Sequence, residues 1–445
     1  MKILFISLGC DKNLTNSEEM LSLLTGAGHE IVDSEEEAEI IVINTCCFIH
    51  DAKEESIENI LEMAEYKKAG TCKVLIVTGC MAQRYREEII QEIPEVDSVL
   101  GTSSYTDILK AVEEACAGRH FEEYRDIDEL PEDSGKPVLT TGGHYGYLKI
   151  AEGCDKHCTY CIIPSLRGKF RSVPQERLLA QAEYMAEQGV KELILVAQET
   201  TVYGTDLYGR KTLHILLKKL CEIRGIRWIR VLYCYPEEIY DELIQVMKEE
   251  KKICHYLDLP IQHASDRILK RMGRRTTRAQ LTETIQKLRS EIPDIVLRTT
   301  LITGFPGETD EDHQELMEFV DEMEFDRLGV FTYSAEEGTP AEKMTDQVPE
   351  ELKEERRDEL MELQQEISLE KGNDRIGQEL MVMIEGKVAG ESAYIARTYG
   401  DAPKVDGYLF VQTGELMMTG DFARVHVTGA LEYDLIGELA DEYTE

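Results

Sequence analysis

Residues 153–161 read GCDKHCTYC, and this stretch decides how the middle of the chain folds. Cys154, Cys158 and Cys161 stand at CxxxCxxC spacing, directly after an apolar, strand-like run at 147–152. Three thiolates on one tight loop can hold three irons of a four-iron cluster, which leaves the fourth iron without a protein ligand. An open metal position is where a small molecule can bind and be activated. A zinc site is one competing assignment, and three buried apolar cysteines are another. Zinc, however, takes a fourth protein ligand with its own spacing, and His157, inside the loop, cannot readily join its neighbours.

Further strand candidates follow at 192–198, 228–234, 256–261, 296–303 and 328–333, most of them separated by helical segments. With 147–152 they make six β-α units, which fit an incomplete barrel of parallel strands. A charged helix at 349–371 follows, and its regular spacing of acidic and basic residues reads as a solvated face. Upstream, apolar runs at 2–8, 40–44, 73–78 and 98–100 alternate with helical patterns at 17–24, 53–68, 84–92 and 105–115. That alternation predicts a doubly wound parallel sheet. Short strand-like runs broken by glycine at 380–384, 408–411 and 422–427 predict a small β-barrel. The expected class is α/β, divided into 1–120, a linker at 121–143 crowded with Glu, Asp, Pro and Gly, 144–374, and 375–445.

A second cysteine trio shares a structural address. Cys10, Cys46 and Cys80 each follow a strand of the first region, and strand ends on the carboxyl side of a parallel sheet converge on one crevice. Each is preceded by a small residue, Gly9, Thr45 or Gly79. Ligation and simple burial are both open to these three on residue type alone. Alternation along a strand would send Cys47 away from Cys46. Cys72, Cys116, Cys221, Cys234 and Cys254 lack partners at ligand spacing and read as apolar fillers.

The chain carries 49 Lys plus Arg against 87 Asp plus Glu, a net charge of −38. Phosphate binding needs Lys and Arg, so such a chain is a poor non-specific ligand for nucleic acid and suits a basic partner. Within 376–445 there are four basic residues and thirteen acidic ones. The basic run at 267–278, with six Lys or Arg, is open to RNA contact but reads first as a solvated helix face and loop. No signal peptide is apparent and no stretch approaches the roughly 18 apolar residues of a membrane span, which predicts a cytoplasmic chain with no membrane partner. In that compartment the twelve cysteines are expected to stay reduced.

The CxxxCxxC loop, with the aromatic Tyr160 before its last cysteine, resembles that of the radical S-adenosylmethionine (SAM) superfamily. Residues 301–309, LITGFPGET, are similar to the glycine-bearing strand by which those enzymes contact SAM. The resemblance implies SAM contacts from Tyr160, Gln198, Gly304, Gly307 and Glu308, the glycines by close backbone approach. The order of the whole chain resembles the methylthiotransferases: a three-cysteine domain, a radical SAM domain and a TRAM-type barrel. Members modify either a tRNA adenosine or an aspartate of the basic small-subunit ribosomal protein S-twelve. SLGCDKN at 7–13, YCIIPSLR at 160–167 and DAPKVDG at 401–407, with Arg397 ahead of it, are similar to the ribosomal branch. Asp11 and Lys404 depart from the residues common there.

Membership implies two [4Fe-4S] clusters, one on Cys154, Cys158 and Cys161 and one on Cys10, Cys46 and Cys80. It further implies SAM, a flavodoxin- or ferredoxin-like electron donor, a sulfur source, and no direct tRNA substrate. A tRNA adenosine methylthiotransferase and a non-catalytic iron–sulfur carrier or sensor are the alternatives.

Overall fold

The computed structural model describes residues 1–70, 72–131 and 135–440. The first sheet contains β1 (Lys2–Ser7), β2 (Glu30–Val32), β3 (Ile40–Thr45), β4 (Val74–Gly79), β5 (Ser98–Leu100) and β6 (Phe121–Glu123). All neighbours are parallel, in the order β2-β1-β3-β4-β5-β6. Alternate residues of β3 and β4 feed two cores, because strand side chains switch faces at every step. Ile40, Val42, Val74 and Ile76 meet Met20 and Leu24 of α1 (Asp11–Gly26). Ile41, Ile43, Leu75 and Val77 meet Ile60 of α2 (His50–Lys68) and Ile89 of α3 (Cys80–Glu92). Helix α4 (Ile108–Cys116) joins α1 on the first face. The sheet is therefore buried on both sides, as continuous apolar strands require.

The second sheet is formed by β7 (Tyr145–Lys149), β10 (Glu192–Val196), β11 (Trp228–Val231), β12 (Ile253–Asp258), β13 (Val296–Thr303) and β14 (Arg327–Thr332). Its order, β14-β13-β12-β11-β10-β7, is parallel throughout. Between β7 and β10 lie the short antiparallel pair β8 (Ala151–Glu152) and β9 (Arg171–Ser172) and the helix α5 (Ile163–Arg167). Leu193, Leu195, Ile229 and Leu297 face the surrounding helices. Tyr147, Ile194, Trp228, Tyr256 and Val296 face the other way and pack with Met383, Ala402 and Phe422 of the C-terminal barrel. That closed barrel comprises β15 (Glu379–Lys387), β16 (Ala393–Thr398), β17 (Leu409–Gln412), β18 (Phe422–Ala430) and β19 (Leu435–Leu439).

The C-terminal barrel is fastened to the second sheet by ions. Fully buried Glu192 accepts from Arg230 Nε and Arg397 Nη2, both at 2.8 Å. Arg327 pairs with Asp401, and Arg298 with Asp258 at 2.9 Å and with Asp406 at 3.4 Å. The acidic residues of the 401–407 motif are thus inward anchors.

Several sequence expectations need correction. β2 and β6 are three residues each and carry too little pattern to see; β6 extends the first sheet into the stretch read as linker. The remainder of that stretch is strapped down: Val138 N donates to Glu18 O, and Leu130 and Leu139 pack on the second sheet's core. Its residues 132–134 lie outside the described residues. α1 and α3 begin at Asp11 and Cys80, well before the apolar patterns at 17–24 and 84–92. The first turns of α1 are polar yet buried, so apolar periodicity could not show them. The helix Glu350–Asn373 is not simply solvated, for Lys353 and Arg356 are buried. Arg267, Arg271 and Arg278 pair with Asp312, Asp346 and Glu322, while Arg274 is buried. The run at 267–278 is therefore largely neutralised and only partly in solvent. Among the described residues no helix is long and apolar enough to cross a membrane.

Candidate active site

The first trio sits where the N-terminal sheet reverses direction. β1 is followed by β2 on one side, while β3 lies on the other, and loops at such a point open a crevice at the carboxyl ends of the strands. Cys10 ends the loop after β1, Cys46 follows β3, and Cys80 opens α3 after β4. Gly9 has φ +85°, and a β-carbon there would stand 2.6 Å from Cys46 Cβ and 2.8 Å from its Sγ. Gly79, at φ +94°, would press a β-carbon to 2.5 Å from Thr45 O. Asn13 Nδ2 ties the loops together by donating to Leu8 O (2.7 Å) and Thr45 O (3.3 Å).

Burial, then the facing thiols of Cys80 and Cys10, push Cys46 up to about 12. Burial also raises Cys80, against the pull of Arg167. Arg167 Nη2 donates to Cys80 Sγ at 3.3 Å and to Asn13 Oδ1 at 3.1 Å. Its Nη1 lies 3.5 Å from Glu152 Oε2. Burial acts to raise Glu152, but Lys149 and Arg167 overcome it and hold the carboxyl at about 2. Cys47 packs in the apolar core with Ile41, Ile43 and Val77, a cluster that does not include Cys46. β3 ends at Thr45, so strand alternation does not govern Cys47, and its thiol is pushed to about 12 by burial and then by Cys80.

The second trio follows β8. Gly153 has φ +80°, and a β-carbon there would collide with the backbone oxygens of Lys169 and Gly168. Cys154 N donates to Gly168 O (3.1 Å), Thr159 N to Met272 O (2.9 Å), and Ala341 N to Thr159 O (2.9 Å), so both flanks of the loop are pinned. Burial, then Glu199 and Cys158, raise Cys154 to about 11. Burial, then Cys158 and Cys154, raise Cys161 to about 12. Crowded buried thiols of this kind lose their protons readily only to a metal. Among the described residues no three His, Cys, Asp or Glu side chains stand close enough to share one metal ion. A four-iron cluster makes no such demand, since each thiolate binds its own iron.

Beside this trio lie buried polar atoms with no hydrogen-bond partner: Gln198 Oε1, Glu199 Oε2, and Arg274 Nε and Nη1. Burial pushes Glu199 up to about 7. Arg274 stacks 4.3 Å from the Tyr235 ring centroid. Buried polar groups are rarely left unsatisfied, so these acceptors and donors fit a polar ligand such as SAM.

The two trios meet through one short segment. Tyr233, just past β11, donates its hydroxyl to Asp11, next to Cys10, at 3.0 Å, while Tyr235 lies under Arg274. Tyr233 has φ +58°, a conformation uncommon for a bulky residue, and is held by Asp258, whose Oδ2 accepts from its N–H at 3.1 Å.

The residues singled out for SAM fall into two groups. Gln198 donates to Glu152 Oε1 at 2.8 Å and keeps its own oxygen unpartnered, and Tyr160 packs edge-on to Phe305 with centroids 6.4 Å apart. Gly304, Gly307 and Glu308 each make close contacts within the chain. A β-carbon at Gly304 would strike the Lys353 side chain, and one at Gly307 would strike Asp346 and Arg271. Glu308 accepts from Arg356 at 3.0 Å and from Phe305 N at 3.2 Å. Thr309 caps the next helix. These glycines make room for neighbouring side chains of the protein. Lys12, Glu152, Arg167, Glu199, Tyr233, Tyr235 and Arg274 were missed as site residues. Only their burial marks them, apart from the position of Arg167 and Lys12 close to the cysteines.

Comparison with known proteins accords with this architecture. Residues 148–320 match the radical SAM superfamily, 2–101 match uncharacterized protein family UPF0004, and 376–440 match the TRAM domain. The fold is similar to the radical SAM methyltransferase TsrM of Kitasatospora setae, at TM-score 0.54 and 12% identity, over 87% of this chain and 79% of that one. Fold and cysteine loop together define a radical SAM enzyme. Full-length relatives sharpen the class. The chain is 63% identical over 437 residues to the ribosomal protein uS12 methylthiotransferase RimO of Lachnoclostridium phytofermentans, covering 98% of this chain and 99% of the relative. It is 50% identical over 439 residues to that of Pelotomaculum thermopropionicum, covering 98% and 99%. The chain belongs to the RimO family of radical SAM methylthiotransferases.

Proposed function

We propose that the enzyme attaches a methylthio group to the β-carbon of an aspartate of ribosomal protein uS12, using SAM and two [4Fe-4S] clusters. The observation that carries this reading is the link between the two thiol trios: Arg167, from the helix just after Cys161, donates to Cys80 Sγ at 3.3 Å. On this reading Cys154, Cys158 and Cys161 hold the SAM-binding cluster, and Cys10, Cys46 and Cys80 hold the other. When bound, these groups supply the one-electron chemistry that breaks an unactivated C–H bond and the sulfur that takes the hydrogen's place. A flavodoxin- or ferredoxin-like donor and a separate sulfur source complete the reaction, in the cytoplasm.

The chain's own residues bind, orient and exclude water. Gln198, Glu199 and Arg274 offer SAM their unpartnered polar atoms, with Tyr160 packed behind the cysteine loop. Arg167 sets a fixed positive charge beside Cys80, which favours thiolate. The substrate named for the relatives supports uS12, and so does the barrel's surface. Glu379, Glu391, Glu415, Glu432 and Glu438 are exposed there, which disfavours a phosphate backbone and favours a basic protein. Asp441, Glu442 and Glu445, counted in the sequence reading, lie outside the described residues.

The test is an anaerobic reaction of reconstituted enzyme, SAM, reductant and sulfide with uS12 in one tube and tRNA in another. Mass spectrometry is expected to find the adduct on a uS12 aspartate alone. An adduct on tRNA alone would overturn the substrate while leaving the chemistry.

A further inference from the structure

Lys12 is a buried cation with no anion beside it. It lies two residues after Cys10, in the first turn of α1, and is 7% exposed. Its Nζ sits 3.2 Å from the centroid of the Tyr233 ring and, among the described residues, makes no hydrogen bond or ion pair. Neighbouring Asp11 does not serve it, because the Asp11 carboxylate accepts from the Tyr233 hydroxyl at 3.0 Å.

Most other buried or nearly buried cations among the described residues have an anion within ion-pair distance; Arg171 instead donates to the Lys169 and Arg167 carbonyls, and Arg274 has only Glu237, at 3.7 Å. Lys149 has Glu152, Arg230 and Arg397 have Glu192, Arg356 has Glu308, and Lys353 has Glu350 and the Tyr333 carbonyl. The place of Lys12 at the positive end of a helix dipole disfavours its charge. A tyrosine face offsets only part of that. A cation held under these conditions fits a site completed by an anionic ligand.

Position selects the ligand. Lys12 and Tyr233 lie on the side of Cys10, whereas SAM has its own buried cation, Arg274, with two unpartnered donors beside the other trio. We infer that Lys12 binds the carboxylate of the aspartate being modified. The β-carbon of an aspartate is bonded directly to its carboxyl carbon. Holding the carboxylate therefore fixes the reacting carbon to within one bond, next to the loop of Cys10. An adenine base offers no such anion, so the same contact discriminates between protein and tRNA. This assignment rests on the uS12 reading above.

The experiment measures binding of uS12, and of uS12 with its target aspartate replaced by asparagine, to reconstituted full-length enzyme under anaerobic conditions. A charge-assisted contact predicts that the wild-type enzyme prefers aspartate about ten- to hundredfold. In Lys12→Met the two substrates should bind alike, and Lys12→Arg should restore part of the preference. SAM affinity and the electron paramagnetic resonance spectra of the clusters are followed in parallel. An undiminished preference for aspartate in Lys12→Met overturns the assignment. So does weakened SAM binding with that preference intact, because the anion would then be SAM's own carboxylate. If the wild-type enzyme does not modify uS12 at all, the function falls first and the Lys12 assignment with it.

Discussion

Arg167 places its guanidinium 3.3 Å from the Cys80 sulfur, across the boundary between the two parallel sheets. The contact joins the helix that follows one cysteine loop to a cysteine of the other. Arg167 and Glu152 are both buried, so each depends on the other. Arg167→Met should cost about 1.5–3 kcal/mol, because Glu152 loses one charged donor while keeping Lys149 at 2.9 Å. It should also make the cluster on Cys10, Cys46 and Cys80 harder to reduce, since removing a nearby positive charge disfavours added negative charge. A redox titration followed by electron paramagnetic resonance should show that potential moving negative while the other cluster's stays.

Gly153 and Gly9 have no room for a β-carbon and sit at positive φ. Gly153→Ala should lose the iron and sulfide of the Cys154 cluster, and Gly9→Ala those of the Cys46 cluster. Iron per chain and the surviving spectrum check both. Retention of both clusters in either variant would mean the loops relax more than their backbone contacts allow.

Much of this was legible in advance, for physical reasons. Both parallel sheets show as alternating apolar runs, because strands covered on two faces must be apolar throughout. Both trios show because thiols on loops after strands are rare and regularly spaced. The rest was hidden by a shared cause. Lys12, Glu152, Arg167 and Arg274 belong to contacts between distant parts of the chain, and a buried polar residue reads in sequence as an exposed one. At Gly304 and Gly307 the side chains of Lys353, Asp346 and Arg271 come close, contacts that sequence spacing does not show.

The C-terminal barrel depends on Arg397, which bridges Glu192 and Glu385 with both ion pairs buried or nearly so. Arg397→Met leaves these carboxylates short of a partner and should cost about 3–5 kcal/mol. Limited proteolysis should then cut between the helix Glu350–Asn373 and β15 under conditions where the native chain resists. Equal resistance would mean the remaining ion pairs of Arg327 and Arg298 suffice.

Glu18 provides a pH test. Its carboxylate accepts from Thr140 N (2.8 Å) and Oγ1 (3.0 Å), and burial pushes it up to about 7. The folded chain therefore holds this proton more tightly than the unfolded one, whose carboxyl titrates near 4.5. Its stabilising effect is complete below pH 4.5 and is lost as pH rises through 7, by on the order of 3 kcal/mol. Glu18→Gln keeps an acceptor for Thr140 and removes the titration. The variant should melt a few degrees above the native chain at pH 8 and close to it at pH 4.5.

The central claim is that two cysteine trios perform separate halves of one reaction. Cys10→Ala and Cys158→Ala enzymes, each reconstituted and mixed anaerobically with SAM, reductant, sulfide and uS12, can be assayed for 5′-deoxyadenosine and for methylthiolated uS12 in the same tube. The account predicts that Cys10→Ala still forms 5′-deoxyadenosine but no methylthio product, and that Cys158→Ala forms neither. Full methylthiolation by Cys10→Ala would contradict it.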